Sequence, residues 1–165
     1  MRLPNRRPGK YTFPTFDHVI TQEKLDEMKR ELDRLLTRVR PKAISDTKRF
    51  AENGDFSENA EYQIAKGRLR GINQKIDELE FQIARAQVIT AQSTDVVSIG
   101  HTVTVDVAGT KKEFTILGSS ETHPERGIIS YTSPLGKLLL GKSAGEKVIL
   151  ETATSKVAYT IVSIH

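Results

Sequence analysis

Ala51-Glu52-Asn53-Gly54-Asp55-Phe56-Ser57-Glu58-Asn59-Ala60-Glu61-Tyr62 is a tight reversal between two long helical patterns. Asn53-Gly54 is a pair that tolerates φ > 0, which ends a helix cleanly. Asp55 then opens the next helix. Glu52, Asp55, Glu58 and Glu61 gather here, with no Lys or Arg between Arg49 and Lys66. A minimal turn between two helices of matched length predicts an antiparallel hairpin, with an acidic tip at residues 52–61.

Upstream of the turn, Thr21 reads as a helix N-cap, with Ile20 and Leu25 in the two positions of a hydrophobic staple. Leu25, Met28, Leu32, Leu35 and Val39 then recur at alternating steps of three and four, a heptad seam. Pro41 interrupts the seam, and Ile44, Thr47 and Ala51 fall out of phase with it. That predicts a kink or a restart at Pro41. Downstream, Tyr62, Ala65, Leu69, Ile72, Ile76, Leu79, Ile83 and Ala86 keep the alternation over a helix from about Phe56 to Val88. Roughly 30 residues per helix at about 1.5 Å each give an arm of about 45 Å. Gly67 and Gly71 weaken the second helix, which predicts close backbone packing at those positions.

The outer faces of the arm are charged. Arg30, Arg34 and Arg38 follow one stripe at i, i+4 and i+8, and Lys66, Arg68, Arg70 and Lys75 add basic charge on the second helix. Intrahelical pairs such as Asp26–Arg30 would make this a solvated coiled-coil surface. The alternative is a basic track for nucleic-acid backbone, with Arg30, Arg34, Arg38 and Arg68 facing RNA beside the acidic tip.

Residues 1–20 hold Pro4, Pro8, Gly9, Pro14 and four basic residues against one acid. They read as a basic extended arm, whose Tyr11, Phe13 and Phe16 could pin its second half to the body. After the hairpin at 21–90, residues 91–98 read as a linker into a second domain at 99–165. There, His101–Val107 alternates, Ala108-Gly109 is a turn, Glu113–Leu117 continues the hairpin, and Gly127–Tyr131 is a third strand. Ser133-Pro134 opens a short helix that stops at Gly141. Lys147–Glu151 and Lys156–Ile164 close the domain as strands around a Thr-Ala-Thr turn. The fold class is α+β: a helical hairpin, then a small sheet with one short helix. So few residues make a thin core, which predicts that this domain also packs on the base of the hairpin.

Composition excludes several chemistries. The chain has no Cys, so disulfides and thiolate catalysis are out. His18, His101, His123 and His165 are scattered without a metal-ligand spacing. No apolar run reaches membrane-span length, and the basic N-terminus is not followed by an apolar segment, so the cytoplasm is the expected compartment. The net charge of +4 and pI near 9.3 suit an anionic partner.

Two readings of the tip stand side by side. Asp55 as N-cap with Glu58 three residues on is a variant of the capping box, which any helix could use. The same two carboxylates could instead direct a metal. Two cannot complete the oxygen shell of Mg²⁺, which is commonly held by one or two carboxylates plus waters and substrate phosphate. The tip would therefore contribute to a metal shared with a partner at a phosphoryl-transfer centre.

Gly54-Asp55-Phe56-Ser57-Glu58-Asn59-Ala60-Glu61-Tyr62 resembles the tip signature of the bacterial Gre transcript cleavage factors, GreA and GreB. Arg40-Pro41 before the tip and Ile83-Ala84-Arg85-Ala86-Gln87-Val88-Ile89 at the end of the second helix are similar to that family. So is Ser133-Pro134-Leu135-Gly136-Lys137-Leu138-Leu139-Leu140-Gly141-Lys142. The resemblance implies an antiparallel coiled coil followed by an FKBP-like domain. It implies an accessory factor and not an enzyme, a monomer that enters the secondary channel of RNA polymerase and meets the nascent RNA 3′ end. Asp55 and Glu58 would help hold a second Mg²⁺ shared with the polymerase, with no cofactor stably bound to the chain itself. Phe56 and Ser57 would support the tip, and backtracked RNA would be cut endonucleolytically. Residues 1–20 are longer than the family pattern. Lys66-Gly67-Arg68-Leu69-Arg70 leans toward GreB and the C-terminal motif toward GreA. Some relatives occupy the same channel and inhibit, which gives the alternative of a channel-binding regulator without cleavage activity. Proline isomerase activity has only fold analogy behind it.

Overall fold

The structure is a computed structural model that describes residues 16–52, 60–90, 93–151 and 155–165. The expected turn at Asn53-Gly54, the tip residues Asp55, Phe56, Ser57 and Glu58, the arm's Tyr11 and Phe13, and the Thr152-Ala153-Thr154 turn all lie outside the described residues. No helix among those described is long and apolar enough to cross a membrane.

The first helix starts at Thr21, whose hydroxyl accepts the Lys24 backbone N–H at 3.2 Å as the N-cap expectation requires. It comprises α1 (Gln22–Arg34), a π-helical turn (Leu35–Val39) and α2 (Arg40–Ala51). Pro41 therefore neither breaks nor restarts the helix. A proline lacks an N–H and crowds the carbonyl one turn back. The π turn absorbs this by widening the ladder, so that Arg40 N–H donates to the Leu35 carbonyl five residues back. The surplus residue also explains the phase fault in the sequence. The buried seam runs Met28, Leu35, Ala43, with Leu25, Leu32, Val39 and Thr47 half-buried along it. From Val39 the next seam position is four residues on, at Ala43, and Ile44 is only half-buried.

The second helix, α3, spans Ala60–Arg85 among the described residues. It carries the expected seam, with Ala65, Ile76 and Leu79 buried. It stops short of Val88 because Gln87–Val88 (β2) pairs in parallel with Val19–Ile20 (β1). Gln87 N–H donates to the His18 carbonyl at 2.7 Å, and Ile89 N–H to the Ile20 carbonyl at 2.9 Å. The last residues of the expected arm are thus built into the base of the hairpin. Ile20 is fully buried there among Met28, Leu35, Ile76 and Leu79, with Phe16 packed against the group.

Gly67 and Gly71 do not mediate close packing. Both are exposed, and a Cβ built on either meets nothing within 4 Å. Gly67→Ala and Gly71→Ala are each expected to stabilise the hairpin by about 1 kcal/mol, because only the helix-propensity penalty is removed. Chemical denaturation of the two single variants checks this, and a loss of stability in either would show a neighbour not accounted for.

The C-terminal domain is a five-stranded sheet in the order β5-β4-β3-β7-β6, built from β3 (Thr102–Val107), β4 (Thr110–Leu117), β5 (Ile128–Ser130), β6 (Lys147–Glu151) and β7 (Lys156–Ile164). Its pairings are antiparallel except β4 with β5, which run parallel. The excursion that parallel pairing demands is residues 118–127, two 3₁₀ turns that reappear below. The turn at Ala108-Gly109 is left-handed at both residues, φ +52 and +85, as a two-residue hairpin needs. The helix α4 (Pro134–Leu139) is capped by Ser133, which accepts the Gly136 N–H at 3.0 Å, and ends with Gly141 at φ +74. Leu135 and Leu139 of α4 pack on Val103, Val105, Ile116, Val148 and Ile161 to form the core. Val97 joins that core at 2% exposure, so the expected linker at 91–98 surrenders it to the domain.

Candidate functional site: the distal end of the helical hairpin

Helix geometry sets the scale of the site. Residues 22–51 rise continuously, and at about 1.5 Å per residue they place Ala51 about 45 Å from Thr21. The first helix reaches Glu52 and the second resumes at Ala60, and both residues are exposed. Asp55 and Glu58 belong to the seven intervening residues. The flanks of the acidic stretch therefore sit at the far extremity of the arm, not within the folded body.

The distal third of the arm is packed differently from its base. Ala43 and Ala65 are buried where the lower seam uses Met, Leu and Ile. Small seam residues leave a groove of about 170 Å³ there, lined by Ala43, Asp46, Phe50, Glu61, Ile64 and Arg68 among others. Ile64 is 73% exposed, the most exposed large hydrophobic described. It missed the sequence reading because it lies one position off the seam. An isoleucine out of phase beside Ala65 is the signal that could have marked it.

The four arginines assigned to a basic track have different surroundings. All are exposed. Arg34 is engaged with Glu31, its Nε and Nη2 donating at 2.7 and 2.8 Å. This pair holds the Glu31 carboxyl below its ordinary range and raises the Arg34 guanidinium. Arg30 lines a cleft at the base of the arm, and Arg68 lines the distal groove. Arg38 lies inside the π turn, where i, i+4 spacing loses its α-helical geometry. Ion pairs on the arm include Lys24–Glu27, Arg34–Glu31, Arg49–Asp46 and Lys75–Glu78, each three residues apart, and Asp26 accepts from Gln22. Both Glu27 and Glu31 titrate low for the same reason, a hydrogen-bonded cation one turn along the helix.

Among the described residues, no group of three or more His, Asp or Glu side chains could hold a metal ion. Near its far end the arm gathers the carboxylates Glu52, Asp55, Glu58 and Glu61 in the sequence. Carboxylate oxygens are the ligand type that Mg²⁺ takes.

Comparisons with known proteins cover nearly the whole chain. Residues 18–88 match the family model described as "Transcription elongation factor, N-terminal", and residues 92–165 match "Transcription elongation factor, GreA/GreB, C-term". A protein named transcription elongation factor GreA from Nitratiruptor sp. is 35% identical over 150 residues, 88% of this chain and 91% of that protein. Another so named, from Mesoplasma florum, is 40% identical over 134 residues, 79% of this chain and 86% of that one. A solved structure of GreA factor homolog 1 from Thermus thermophilus aligns with 91% of this chain and 99% of its own at 25% identity, with a TM-score of 0.41.

Proposed function

Because the chain belongs to the GreA/GreB family of transcription elongation factors, we propose that it enters the secondary channel of RNA polymerase and stimulates endonucleolytic cleavage of backtracked RNA. One observation carries this reading. In sequence, Asp55 and Glu58 lie between Glu52 and Ala60, two exposed residues at the helix ends, and Glu52 is about 45 Å along the first helix from its base. A charge cluster so placed is suited to reaching into a partner and not to serving a pocket of its own.

The working parts divide by element. The paired seams of α1, α2 and α3 keep the arm straight enough to deliver its end. Asp55 and Glu58 present carboxylate oxygens there, while Phe56 and Ser57 support them. The exposed arginines Arg30, Arg34, Arg38 and Arg68 lie along the arm, where nascent RNA near its 3′ end would meet them. A Mg²⁺ held jointly with the polymerase would stabilise the developing negative charge and make water a better nucleophile. The chain supplies part of a coordination shell, so it acts as an accessory factor in the cytoplasm and works as a monomer. The C-terminal domain grips the polymerase near the channel entrance.

The test is release of a 3′ RNA fragment from a purified, backtracked polymerase complex on addition of this protein. Release accelerated over the intrinsic rate supports the reading. Competition for the polymerase with no acceleration would instead identify a channel-binding regulator.

A further inference from the structure

Where the hairpin meets the C-terminal domain, residues 17–21 contact residues 118–121, Tyr131 Oη donates to Asp17 Oδ1 at 3.5 Å, and Gly100 lies against Ile89. Gly118 lies against Val19, and a Cβ built on it would sit 2.1 Å from the Val19 carbonyl oxygen. Ser119 N–H donates to Asp17 Oδ2 at 2.8 Å, and Asp17 Oδ1 also accepts the Val19 N–H at 3.2 Å. Glu121 accepts the Thr21 N–H at 2.8 Å with one oxygen and the Thr21 hydroxyl at 2.5 Å with the other. Thr21 is the N-cap of the first helix, so a carboxylate from the other domain extends that cap toward the positive end of the helix dipole. On each side of this strip the domains part, and Thr21 lines a cleft on both sides, of about 420 and 480 Å³.

We propose that Gly118, Ser119 and Glu121 form a socket for residues 17–21, and that they are positioning residues which set the direction in which the arm leaves the C-terminal domain. The two domains have separate cores with no residue in common, so nothing in either core fixes their mutual angle. The socket does so by shape at Gly118 and by hydrogen bonds at Ser119 and Glu121. Through β1 and β2, the same segment is tied to the end of α3, so both helices of the arm follow it. The lever is long: a tilt of about 10° at the socket moves the end of a 45 Å arm by roughly 8 Å. That exceeds the tolerance of a metal-directed carboxylate. The functional half of the proposal rests on the reading that the tip works at a partner's active site.

The chain has no native cysteine, so paired spin labels can be placed cleanly through Gln74→Cys in α3 and Lys111→Cys in β4. The parent should give one narrow inter-label distance distribution. Glu121→Ala should broaden it with unchanged helix content, Glu121→Gln should fall between, and Gly118→Ala should shift it by wedging the Val19 carbonyl outward. In the RNA-cleavage assay, Glu121→Ala should lower the maximal rate about tenfold or more, while the half-saturating concentration moves less than about twofold. A narrow, unmoved distribution in both Glu121→Gln and Gly118→Ala would overturn the socket. A broadened distribution with an unchanged maximal rate would overturn the positioning role. Should the parent itself fail to stimulate cleavage, the distance measurements still judge the socket, and only the functional reading falls. Glu121→Gln and Gly118→Ala carry the test if Glu121→Ala does not fold.

Discussion

Asp55→Asn is expected to fold like the parent and to lose at least about 100-fold in stimulated RNA cleavage, the scale of several kcal/mol that a catalytic metal contributes. The substitution separates the two readings of the tip. Asn serves as a helix N-cap about as well as Asp, so a residue needed only to start the second helix would tolerate it. A residue needed to hold a divalent cation would not, because the anionic oxygen is gone. Glu58→Gln should behave alike, and both variants should still compete with the parent for polymerase. Raising Mg²⁺ should recover part of the Asp55→Asn activity. Wild-type cleavage by Asp55→Asn would sink the metal role, and a collapse in melting temperature would show that the charge is needed for folding.

Ile20→Ala is expected to cost about 2–5 kcal/mol, the range for emptying a fully buried aliphatic site. Ile20 has no exposed surface and closes the base of the hairpin over Met28, Leu35, Ile76 and Leu79. Truncation leaves a cavity that β1, held on both sides by the β2 ladder and the Gly118 contact, cannot collapse to fill. A loss near 3 kcal/mol corresponds to a fall of roughly 6–12 °C in Tm for a chain of this length. Because the two cores share no residue, amide exchange should quicken in α1 and α3 and stay slow in β3, β4 and β7. Equal quickening in the sheet would show that the domains unfold as one unit.

Most of the fold was legible because periodicity carries it. The seam of α3 from Tyr62 to Ala86 and the alternation of Val103 and Val105 follow from the 3.6 and 2 residue periods. The Ser133 cap and the Gly141 stop follow from backbone chemistry that a few residue types satisfy. Reading failed where a local rule met a nonlocal answer. Pro41 signals a helix break, yet the helix passes through by widening one turn. Ala43 was overlooked beside the larger Ile44, because apolar bulk is a poor guide once the phase has slipped. Gly67 and Gly71 suggested contact where there is open solvent. The β1–β2 ladder was invisible, since two-residue strands carry no pattern. So was the pairing of Thr21 with Glu121, 100 residues apart, because an exposed-looking Glu in a loop says nothing of its partner. The candidate site was legible as composition, in the clustering of Glu52, Asp55, Glu58 and Glu61, and the exposed flanks Glu52 and Ala60 agree with a terminal position. Of the four arginines assigned to RNA, Arg34 has a partner that the i, i+4 reading did not foresee, Glu31 three residues back.

The widened turn at Leu35–Val39 has a bearing on aim. In a regular helix every residue advances the azimuth by about 100°, so losing one anywhere else would swing the far acids to another side of the shaft. At this turn the chain holds one residue in reserve. Removing it there, with Pro41 relieved, would restore ordinary pitch and leave the compass bearing of the carboxylates nearly as it was. This rod could thus shorten by one step at that rung without pointing the wrong way.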